Sequence, residues 1–348
     1  MTYQVSVRAL CSFTAKRGDL DTRFTPAPSA LEGIQGHRIV ASRRGSGYKA
    51  EVSLRTEEGT LTVRGRADGY DVKESRVEEC KTFRGEFTRI PDNRHSLHWA
   101  QVQTYGAQLC RRDALEELEL ALVYFDIDNQ EETVLKERLS AARLEALFAE
   151  RCEQFSAWAR FEADRIEQRN ASLQAMQFPY EFHTGQRQLA ESVYRAAATS
   201  QCLLAQAPTG VGKTLGTLFP MLKALGEAKI DKVLYLTAKG TGRALALDGV
   251  RKLHGAGAQV RVLDLVARDK ACANPGRQCN GESCPLAKGF YDRLGDARAT
   301  ARALSTMDQS SIRNVALAHH VCPYYLSQEM VRWADVVIAD YNHYFDHG

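Results

Sequence analysis

The stretch CLLAQAPTGVGKTLGTLFPMLKAL, residues 202–225, decides the fold that we predict for the second half of the chain. It joins an apolar run, a loop with two glycines and a segment with helical periodicity, which is the order of strand, turn and helix in a parallel α/β sheet. We therefore predict a buried strand from Cys202 and a helix that begins near Lys213. After residue 178 the surrounding sequence alternates between helices and strands in the same way.

The loop in this stretch, APTGVGKT from Ala207, matches the Walker A pattern except that Ala207 replaces the usual first glycine. Gly210 and Gly212 let backbone N–H groups curl around a phosphate at a helix N-terminus. We expect Lys213 to reach the β- and γ-phosphates and the Thr214 hydroxyl to bind Mg²⁺. A chance glycine turn is the alternative, but the flanking elements and the Lys-Thr pair favour a site for ATP with Mg²⁺.

Two flanking segments extend this pattern. Upstream, FPYEFHTGQRQLAESVY (178–194) places Gln186 at a helix start, where its amide can read the edge of an adenine. Downstream, KVLYLTAKGTGRA (232–244) is predicted as a strand and a loop. Together with the phosphate loop, these segments resemble superfamily 2 helicases, which have RecA-like P-loop sheets. The resemblance implies that the downstream loop contacts the DNA backbone through Thr237, Lys239, Thr241 and Arg243, although an ordinary exposed loop would look the same.

Four cysteines follow, at Cys272, Cys279, Cys284 and Cys322. Zinc is the metal that clustered cysteines usually bind. Structural zinc sites, however, mostly contain close C-x2-C pairs, which are missing among these four. Irregular spacing suits a [4Fe–4S] cluster better, and reduced cysteines that bind no metal are a third alternative. We expect the remaining cysteines to be small core residues: Cys11, Cys80, Cys110, Cys152 and Cys202.

The cysteine segment also carries a family resemblance. C-x-N-P at Cys272, CPYY at Cys322 and ADVVIADYN (334–342) resemble the iron–sulfur insertion of XPD/DinG-type helicases. The resemblance implies a cluster insertion at about 265–325, inside a first motor domain, that helps to form a passage for single-stranded DNA. It also implies 5′→3′ movement, about which the residues themselves say nothing.

The motor predicted in this way is incomplete. Asp340 follows four apolar residues, as a Walker B acid does, but Tyr341 stands where a glutamate should orient the attacking water. The resemblance places the true Asp-Glu-Ala-His box beyond Gly348, followed by a second motor domain. We therefore expect the chain to be the N-terminal part of a larger protein or a truncated product, able to bind ATP weakly without efficient hydrolysis or unwinding.

The first half has a different order, mostly strands and then helices. YQVSVRAL alternates like a strand, and residues 48–70 predict a hairpin around Glu57-Glu58-Gly59. A short strand (SRVEECKT), a helix (SLHWAQVQTYGAQLC) and a second hairpin (118–139) follow. A long helix is predicted next, because apolar residues form one stripe: Leu144, Leu147, Phe148, Cys152, Phe155, Ala159 and Ile166.

Acidic residues and a lysine lie on two of these predicted strands. Carboxylates at Asp68 and Glu79, on adjacent strands, can hold one or two divalent cations against a phosphate, and Lys81 lies on the same strand face as Glu79. This is the PD-(D/E)XK nuclease pattern, with Ala67 at the proline position. Taken alone, such a short motif is more often a solvated strand face.

Three further features strengthen the nuclease interpretation. A helix follows the motif strand and carries Gln101 and Tyr105 on one face, while His37 lies four residues after Gly33 in a probable helix. The combination G-x3-H, D, E-x-K and Q-x3-Y resembles RecB-type exonucleases. The resemblance implies His37, Asp68 and Glu79 as Mg²⁺ or Mn²⁺ ligands, Lys81 as a catalytic residue, and Gln101 and Tyr105 as positioning residues. Glu32 is a possible extra ligand that we do not adopt.

Composition limits the remaining choices. The 348 residues are 44% hydrophobic and 26% charged, with a formal net charge of +3, so a nucleic-acid partner is permitted but not required. No apolar run is long enough to span a membrane and the first residues lack a signal peptide, so we expect a cytoplasmic protein. Basic residues near the motif could form a DNA track: Arg64, Arg66, Lys73, Arg76, Lys81 and Arg84.

The sequence therefore predicts two α/β domains: a restriction-endonuclease-like nuclease at 1–175 and a partial RecA-like motor at 176–348. The predicted function is metal-dependent hydrolysis of DNA, preferably single-stranded or with a single-stranded tail, coupled in the full-length protein to ATP-driven translocation and unwinding. One alternative is an inactive nuclease fold that guides DNA to an iron–sulfur helicase. Another is a nucleotide-binding regulator stabilised by zinc. Repair and phage defence are both open as pathways.

Overall fold

The computed structural model describes residues 3–23, 28–238 and 240–345. The elements of the first half are β1 (Tyr3–Ser6), α1 (Val7–Thr14), α2 (Ala30–Ser42), β2 (Tyr48–Glu58), β3 (Leu61–Asp71), β4 (Arg76–Phe83), α3 (Asp92–Asp113), β5 (Glu117–Asp126), β6 (Glu132–Ser140) and α4 (Ala141–Ala175). Those of the second half are α5 (Gln186–Ala198), α6 (Lys213–Gly226), β7 (Val233–Thr237), α7 (Gly240–Gly255), β8 (Val262–Leu265), α8 (Arg268–Ala271), α9 (Phe290–Ala301), β9 (Thr306–Met307), α10 (Gln309–Ala318), α11 (Pro323–Met330), β10 (Val336–Asp340) and α12 (Asn342–Phe345).

The first sheet is mixed. Its strand order is β1-β3-β4-β5-β6, and β2 also pairs with β3. The antiparallel pairs β2–β3 and β5–β6 are the two predicted hairpins, which are confirmed. Strand β4 runs antiparallel to β3 and parallel to β5, so the strand that carries Glu79 and Lys81 lies in the middle of the sheet.

The strand predicted from residue 3 is shorter than expected, because Val7–Thr14 forms helix α1. The Ser6 side chain caps this helix by accepting a hydrogen bond of 3.1 Å from the Ala9 N–H. Val7, Leu10 and Cys11 are buried at helical spacing, so burial along one helix face outweighs the two-residue alternation of the sequence.

Helices α3 and α4 cover this sheet and form its core. The stripe predicted on α4 is confirmed up to Ala159, and Leu144 and Phe148 are fully buried. Ile166, the last residue of the predicted stripe, is 37% exposed. The stripe therefore ends where α4 passes out of the first core.

The second sheet contains parallel strands in the order β7-β10-β8-β9, which confirms the parallel α/β prediction. Its core combines residues of α6, α7 and three of the strands, among them Leu218, Val250, Val262 and Ile338. Helix α6 begins at Lys213 as predicted.

The buried strand predicted before the phosphate loop is wrong. Residues 201–208 form no regular element, Cys202 is exposed, and Leu203 and Leu204 are 44% and 101% exposed. A strand is stable inside a sheet only when a neighbouring strand satisfies its N–H and C=O groups. The strands of the second sheet in the described residues pair with one another and none pairs with this segment.

The chain divides into two compact units. Unit 1 consists of Met1–Phe161 and Gln278–Asp292, and unit 2 of Glu162–Arg277 and Arg293–Gly348. The division therefore falls within α4, and a short piece of the cysteine segment belongs to unit 1. None of the helices in the described residues combines the length and the apolar composition that crossing a membrane requires.

Candidate functional site

Helix α2 brings His37 to the first sheet. The helix begins with a capping box, in which the Glu32 carboxylate accepts a hydrogen bond of 2.8 Å from the Ser29 N–H, and Glu32 also pairs with Arg84. Glu32 therefore serves the helix start. One turn later, His37 Nδ1 lies 3.3 Å from Asp68 Oδ1, and this contact is the main cause of the raised pKa of His37.

Asp68 and Glu79 meet where the β3–β4 ladder ends. The last described pair of that ladder joins Gly69 to Glu78, so the next residues along the two strands are Asp68 and Glu79. The Asp68 Oδ2 atom accepts a hydrogen bond of 2.8 Å from the Cys80 N–H. Two predicted acidic residues, one from each strand, are thus brought together.

Lys81 holds one oxygen of Glu79 and leaves the other without a partner. The Lys81 ammonium donates to Glu79 Oε1 at 2.6 Å, while Oε2 is buried and has no hydrogen-bond partner among the described residues. Glu79 is only 5% exposed. A buried carboxylate oxygen without a donor costs stability, so this oxygen is available to a ligand that is not part of the chain.

The pKa values of Glu79 and Lys81 are both raised, but for different reasons. Burial raises the pKa of Glu79 to about 7, and the nearby Asp68 charge adds to this effect, although Lys81 opposes it. For Lys81, burial lowers the pKa, but the combined charges of Glu79 and Asp68 outweigh it and the pKa is raised. The Lys81 side chain therefore stays protonated and positively charged at neutral pH.

Helix α3 places Gln101 and Tyr105 beside the same strands. They are 6% and 7% exposed, and Gln101 Oε1 is buried without a hydrogen-bond partner among the described residues. Burial raises the pKa of Tyr105 and outweighs the opposing effect of a hydrogen bond with the Arg66 backbone, so the phenol stays neutral. The Q-x3-Y pair thus lies at the sheet, as the sequence predicted from helical spacing.

Two cavities open onto these residues. The first, of about 720 Å³, is lined by His37, Asp68 and Cys80. The second, of about 510 Å³, is lined by Glu79, Lys81, Gln101 and Tyr105. The predicted nuclease residues are thus divided between two neighbouring openings, which we call the first and the second cavity.

The donor chemistry of these residues suits Mg²⁺ or Mn²⁺, since two carboxylates, one of them with an unpartnered oxygen, accompany one imidazole. In the described residues, however, no group of three or more His, Cys, Asp or Glu side chains is arranged to hold a metal ion. The contacts explain this: His37 and the Cys80 N–H hold the Asp68 oxygens, and Lys81 holds Glu79. A cation would have to replace some of these contacts.

Three residues near this site gave no signal in the sequence. The Tyr124 hydroxyl lies 2.9 Å from Nδ1 of both His95 and His98, so it donates to one ring and accepts from the other. Burial, helped by the charges of Lys81 and Arg94, lowers the pKa of His98 to about 2. His98 is therefore a neutral hydrogen-bonding group in the wall of the second cavity.

The predicted basic track is largely neutralised. Arg76 pairs with Glu78 at 3.1 Å, Arg84 pairs with Glu32 and Asp128, and Arg66 pairs with Glu51. Arg76 and Glu78 lie two residues apart on the same face of β4, whereas Arg84 pairs with acidic residues that lie outside the strands. Pairing of this kind is not visible in the sequence pattern.

In unit 2 the two glycines of the phosphate loop have a left-handed backbone conformation. Gly210 and Gly212 have φ angles of +88° and +78°, and a side chain at Gly212 would lie 2.1 Å from Gln186 Nε2. The Lys213 ammonium donates to the backbone carbonyls of Ala207 and Pro208, at 2.9 and 3.0 Å. The lysine thus lies along its own loop, where phosphate oxygens would offer stronger acceptors.

Gln186 lies against the phosphate loop instead of facing solvent. Its Nε2 donates to the Gly212 carbonyl at 3.0 Å, and its Oε1 accepts from the His183 N–H at 3.1 Å. A cavity of about 340 Å³ is lined by Gln186, Gly212 and Thr214 together with Phe178. Three of the five predicted nucleotide-binding residues therefore share one opening, which Gly210 and Lys213 do not line, and both polar atoms of the Gln186 amide have protein partners.

The downstream loop differs from the prediction, because α7 begins at Gly240. Arg243 is buried in this helix and makes two hydrogen bonds of 2.9 Å to Asp264, so it is not an exposed phosphate contact. Thr237 ends β7 and Thr241 is exposed, whereas Lys239 lies outside the described residues. Asp340 ends the central strand β10, with Oδ1 buried and lacking a hydrogen-bond partner in the described part of the chain.

The cysteines separate into two classes. Cys11, Cys80, Cys110 and Cys152 are buried as predicted, but Cys202 is exposed because its segment joins no sheet. Of the predicted cluster ligands, Cys279 and Cys284 belong to unit 1, and Cys272 and Cys322 belong to unit 2. None of the nine cysteines, all within the described residues, forms a disulfide.

Comparisons with known proteins bear on the second half. Residues 243–348 match the DEAD_2 family model. No curated protein matches the chain. Similar solved structures include the crystal structure of SSO0001, with 23% identity and a TM-score of 0.29 over 44% of this chain and 77% of that one.

Two other similar structures carry the name XPD. "XPD_Helicase" has 18% identity and a TM-score of 0.34 over 48% of this chain, and "Truncated XPD" has 20% identity and a TM-score of 0.32 over 46%. The chain spans 29% of the first and 45% of the second. The match to DEAD_2 thus supports a helicase-like region for residues 243–348, within an α/β fold.

Proposed function

We propose that unit 1 is a metal-dependent DNA nuclease of the RecB-like PD-(D/E)XK type. We propose further that unit 2 is the first part of an XPD/DinG-like ATP-dependent DNA helicase. The observation that carries the nuclease proposal is the meeting of Asp68 and Glu79 at the end of the β3–β4 ladder, with Lys81 and His37 in contact with them. The DEAD_2 match supports the helicase proposal.

In the proposed reaction His37, Asp68 and Glu79 hold Mg²⁺ or Mn²⁺. When bound, such a cation polarises a phosphate and activates water. Lys81 stays protonated because of the neighbouring carboxylates, so it stabilises negative charge that develops on the phosphate and does not act as a base. Gln101 and Tyr105 position the DNA strand by hydrogen bonding in the second cavity.

For unit 2 we propose an ATP site at the phosphate loop. The loop N–H groups and Lys213 would hold the phosphates and Thr214 would hold Mg²⁺; the Lys213 ammonium, which now donates to two loop carbonyls, would supply positive charge to the phosphates. In the full-length protein, translocation along single-stranded DNA, 5′→3′ by the family resemblance, would feed the nuclease. The [4Fe–4S] cluster on Cys272, Cys279, Cys284 and Cys322 remains a prediction from the sequence.

A cleavage assay tests the nuclease proposal. The chain is incubated with end-labelled single-stranded DNA and Mn²⁺, without ATP, beside Glu79→Gln, Lys81→Met and the matched control Glu119→Gln on β5. We expect cleavage by the parent and by the control, and its loss in the other two variants. Equal cleavage by all four proteins would indicate a contaminating nuclease and overturn the assignment.

The absence of cleavage by a folded, metal-loaded parent would favour the alternative of an inactive nuclease fold that binds DNA. The metal content of anaerobically purified protein decides between the two cluster hypotheses. Iron and sulfide that disappear in Cys272→Ser would support an iron–sulfur cluster, whereas stoichiometric zinc would favour the regulator stabilised by zinc.

A further inference from the structure

A strip of residues near the N-terminus is joined to the cysteine segment by backbone hydrogen bonds within unit 1. The Leu20 N–H donates to the Ala287 carbonyl at 2.8 Å, and the Thr22 N–H donates to the Cys279 carbonyl at 3.1 Å. At the other end of the strip, the Gly18 carbonyl accepts from the Tyr291 N–H at 3.0 Å. The two segments, 16–23 and 278–292, therefore run together.

Side chains reinforce this pairing. Asp19 Oδ1 accepts from the Gly289 N–H at 2.7 Å, and the Gly18 N–H donates to Asp292 Oδ1 at 2.9 Å. Arg23 makes hydrogen bonds of 2.9 and 3.2 Å to the two carboxylate oxygens of Glu282. So many contacts give the segment 278–292 a defined position in unit 1.

Residues of the paired segments line the second cavity together with the catalytic residues proposed above. Lys16 and Tyr291 line this cavity together with Glu79 and Lys81, and Lys16 Nζ lies 5.4 Å from the centre of the Tyr291 ring. The Asn93 side-chain amide, in the first turn of α3, donates to the Asp19 carbonyl at 2.6 Å, so the strip is also hydrogen-bonded to α3.

The charge of the cavity wall is mainly positive. Four cationic side chains line it, from Arg8, Lys16, Lys81 and Arg94, against the two acids Asp21 and Glu79. Glu79 pairs with Lys81, and Asp21 pairs with Arg23 at 2.7 Å. A strand of single-stranded DNA offers the two groups that such a wall recognises, phosphates for the cations and bases for the aromatic ring.

We propose that the second cavity binds one nucleotide of single-stranded DNA next to the phosphate that is cut. The base stacks on Tyr291, and the flanking phosphate contacts Lys16 and Arg94. This inference rests on the proposed nuclease function. It gives residues 278–292, which contain two of the predicted cluster cysteines, a direct part in the nuclease substrate site.

Fluorescence anisotropy tests the proposal. It measures the binding of a short fluorescent oligothymidine to the full chain, with Ca²⁺ in place of Mn²⁺ and without ATP. We expect Tyr291→Ala to weaken binding about tenfold and Tyr291→Phe, which keeps the ring, to bind as the parent does. Lys16→Ala should reduce the slope of log K against log salt by about 0.7, the value for one phosphate contact on a single strand. Lys136→Ala, on the edge strand β6, is the control that removes a charge elsewhere.

Photo-crosslinking makes the test independent of DNA binding by unit 2. An oligonucleotide that carries 5-iododeoxyuridine should crosslink to Tyr291, as identified by mass spectrometry, and the crosslink should disappear in Tyr291→Ala. Normal cleavage and normal binding by Tyr291→Ala would overturn the subsite and leave the nuclease proposal intact. A crosslink at Tyr291 in a parent that does not cleave would support the subsite and refute the catalytic function.

Discussion

Two carboxylates, one in each unit, are almost equally buried and have opposite surroundings. Asp335 in unit 2 is 2% exposed and accepts hydrogen bonds from Arg165, Arg169 and the Arg261 N–H, at 2.6 to 3.0 Å. Glu79 in unit 1 is 5% exposed, has a single donor in Lys81, and leaves one oxygen without a partner in the described residues.

The pKa values of the two residues follow these surroundings. Burial opposes ionisation of Asp335, but the hydrogen bonds and charges of its arginines outweigh burial and lower its pKa. At Glu79 burial dominates and the pKa is raised. Burying an ion is costly unless it is paired, so a fully satisfied carboxylate indicates a structural role and an incompletely satisfied one indicates a ligand site.

The largest expected effect is on activity. Glu79→Gln should lower single-stranded DNA cleavage at least about 100-fold, the scale of removing one catalytic group. The same substitution should lower the free energy of unfolding less than Asp335→Asn does, because it removes one ion-pair partner instead of the shared partner of two arginines and also removes the cost of burying the Glu79 charge. Cleavage rates and urea denaturation of the same protein preparations check both statements. A variant that loses activity only because it unfolds would remove the contrast with Asp335.

Asp335→Asn should behave in the opposite way. Breaking a buried ion pair leaves Arg165 and Arg169 without their anion, which costs about 3 kcal/mol of stability. Urea denaturation followed by tryptophan fluorescence measures the loss, with the exposed Asp231→Asn as the matched control in unit 2. Unchanged stability of Asp335→Asn would show that its arginines find other partners.

The contrast also depends on helix α2, which keeps His37 beside Asp68. A methyl group at Gly36 would lie 2.5 Å from Thr82 Cγ2 and 3.1 Å from a ring carbon of Phe125, so Gly36→Ala should destabilise unit 1 by about 1 kcal/mol. At Gly33, one turn earlier, the nearest atom is 3.6 Å away. Gly33→Ala should therefore be neutral or slightly stabilising through helix propensity. Equal thermal denaturation midpoints for the two variants would contradict this packing.

The smallest effect concerns pH. Between about pH 4.5 and about pH 7, folded Glu79 keeps a proton that the unfolded chain has released. The free energy of unfolding should therefore fall as pH rises through this window in metal-free protein. The pKa of His37 is also raised, so His37 likewise makes the free energy of unfolding fall as pH rises. The difference in free energy of unfolding between the parent and Glu79→Gln therefore isolates the contribution of Glu79. Urea denaturation at about pH 5 and about pH 7.5 would refute the prediction if this difference did not change.

Local patterns allowed much of this fold to be predicted. The hairpin of β2 and β3 follows from alternation and a glycine turn, and the spacing of Gln101 and Tyr105 on α3 requires only a helix. The errors involve partners that are distant in the sequence. Leu204 is exposed because none of the described strands pairs with its segment. Arg243 is buried because it pairs with Asp264, which lies on β8.

The candidate site was predictable only in part. The motif predicted Asp68, Glu79 and Lys81, because their chemistry is encoded by residue type and short spacing. No sequence pattern indicates that Lys16 and Tyr291 face the same cavity, since hundreds of residues separate them and hydrogen bonds between loops bring them together.

The assignment of residues 278–292 to unit 1 has a consequence for synthesis on the ribosome. Proteins fold progressively as the chain emerges, usually with N-terminal units first. Here unit 1 lacks a wall of its second cavity until residue 292 has emerged, by which time the phosphate loop has already been made. A translation product that stopped before residue 278 would contain Asp68, Glu79 and Lys81 without Tyr291. Completion of unit 1 therefore depends on translation through much of unit 2.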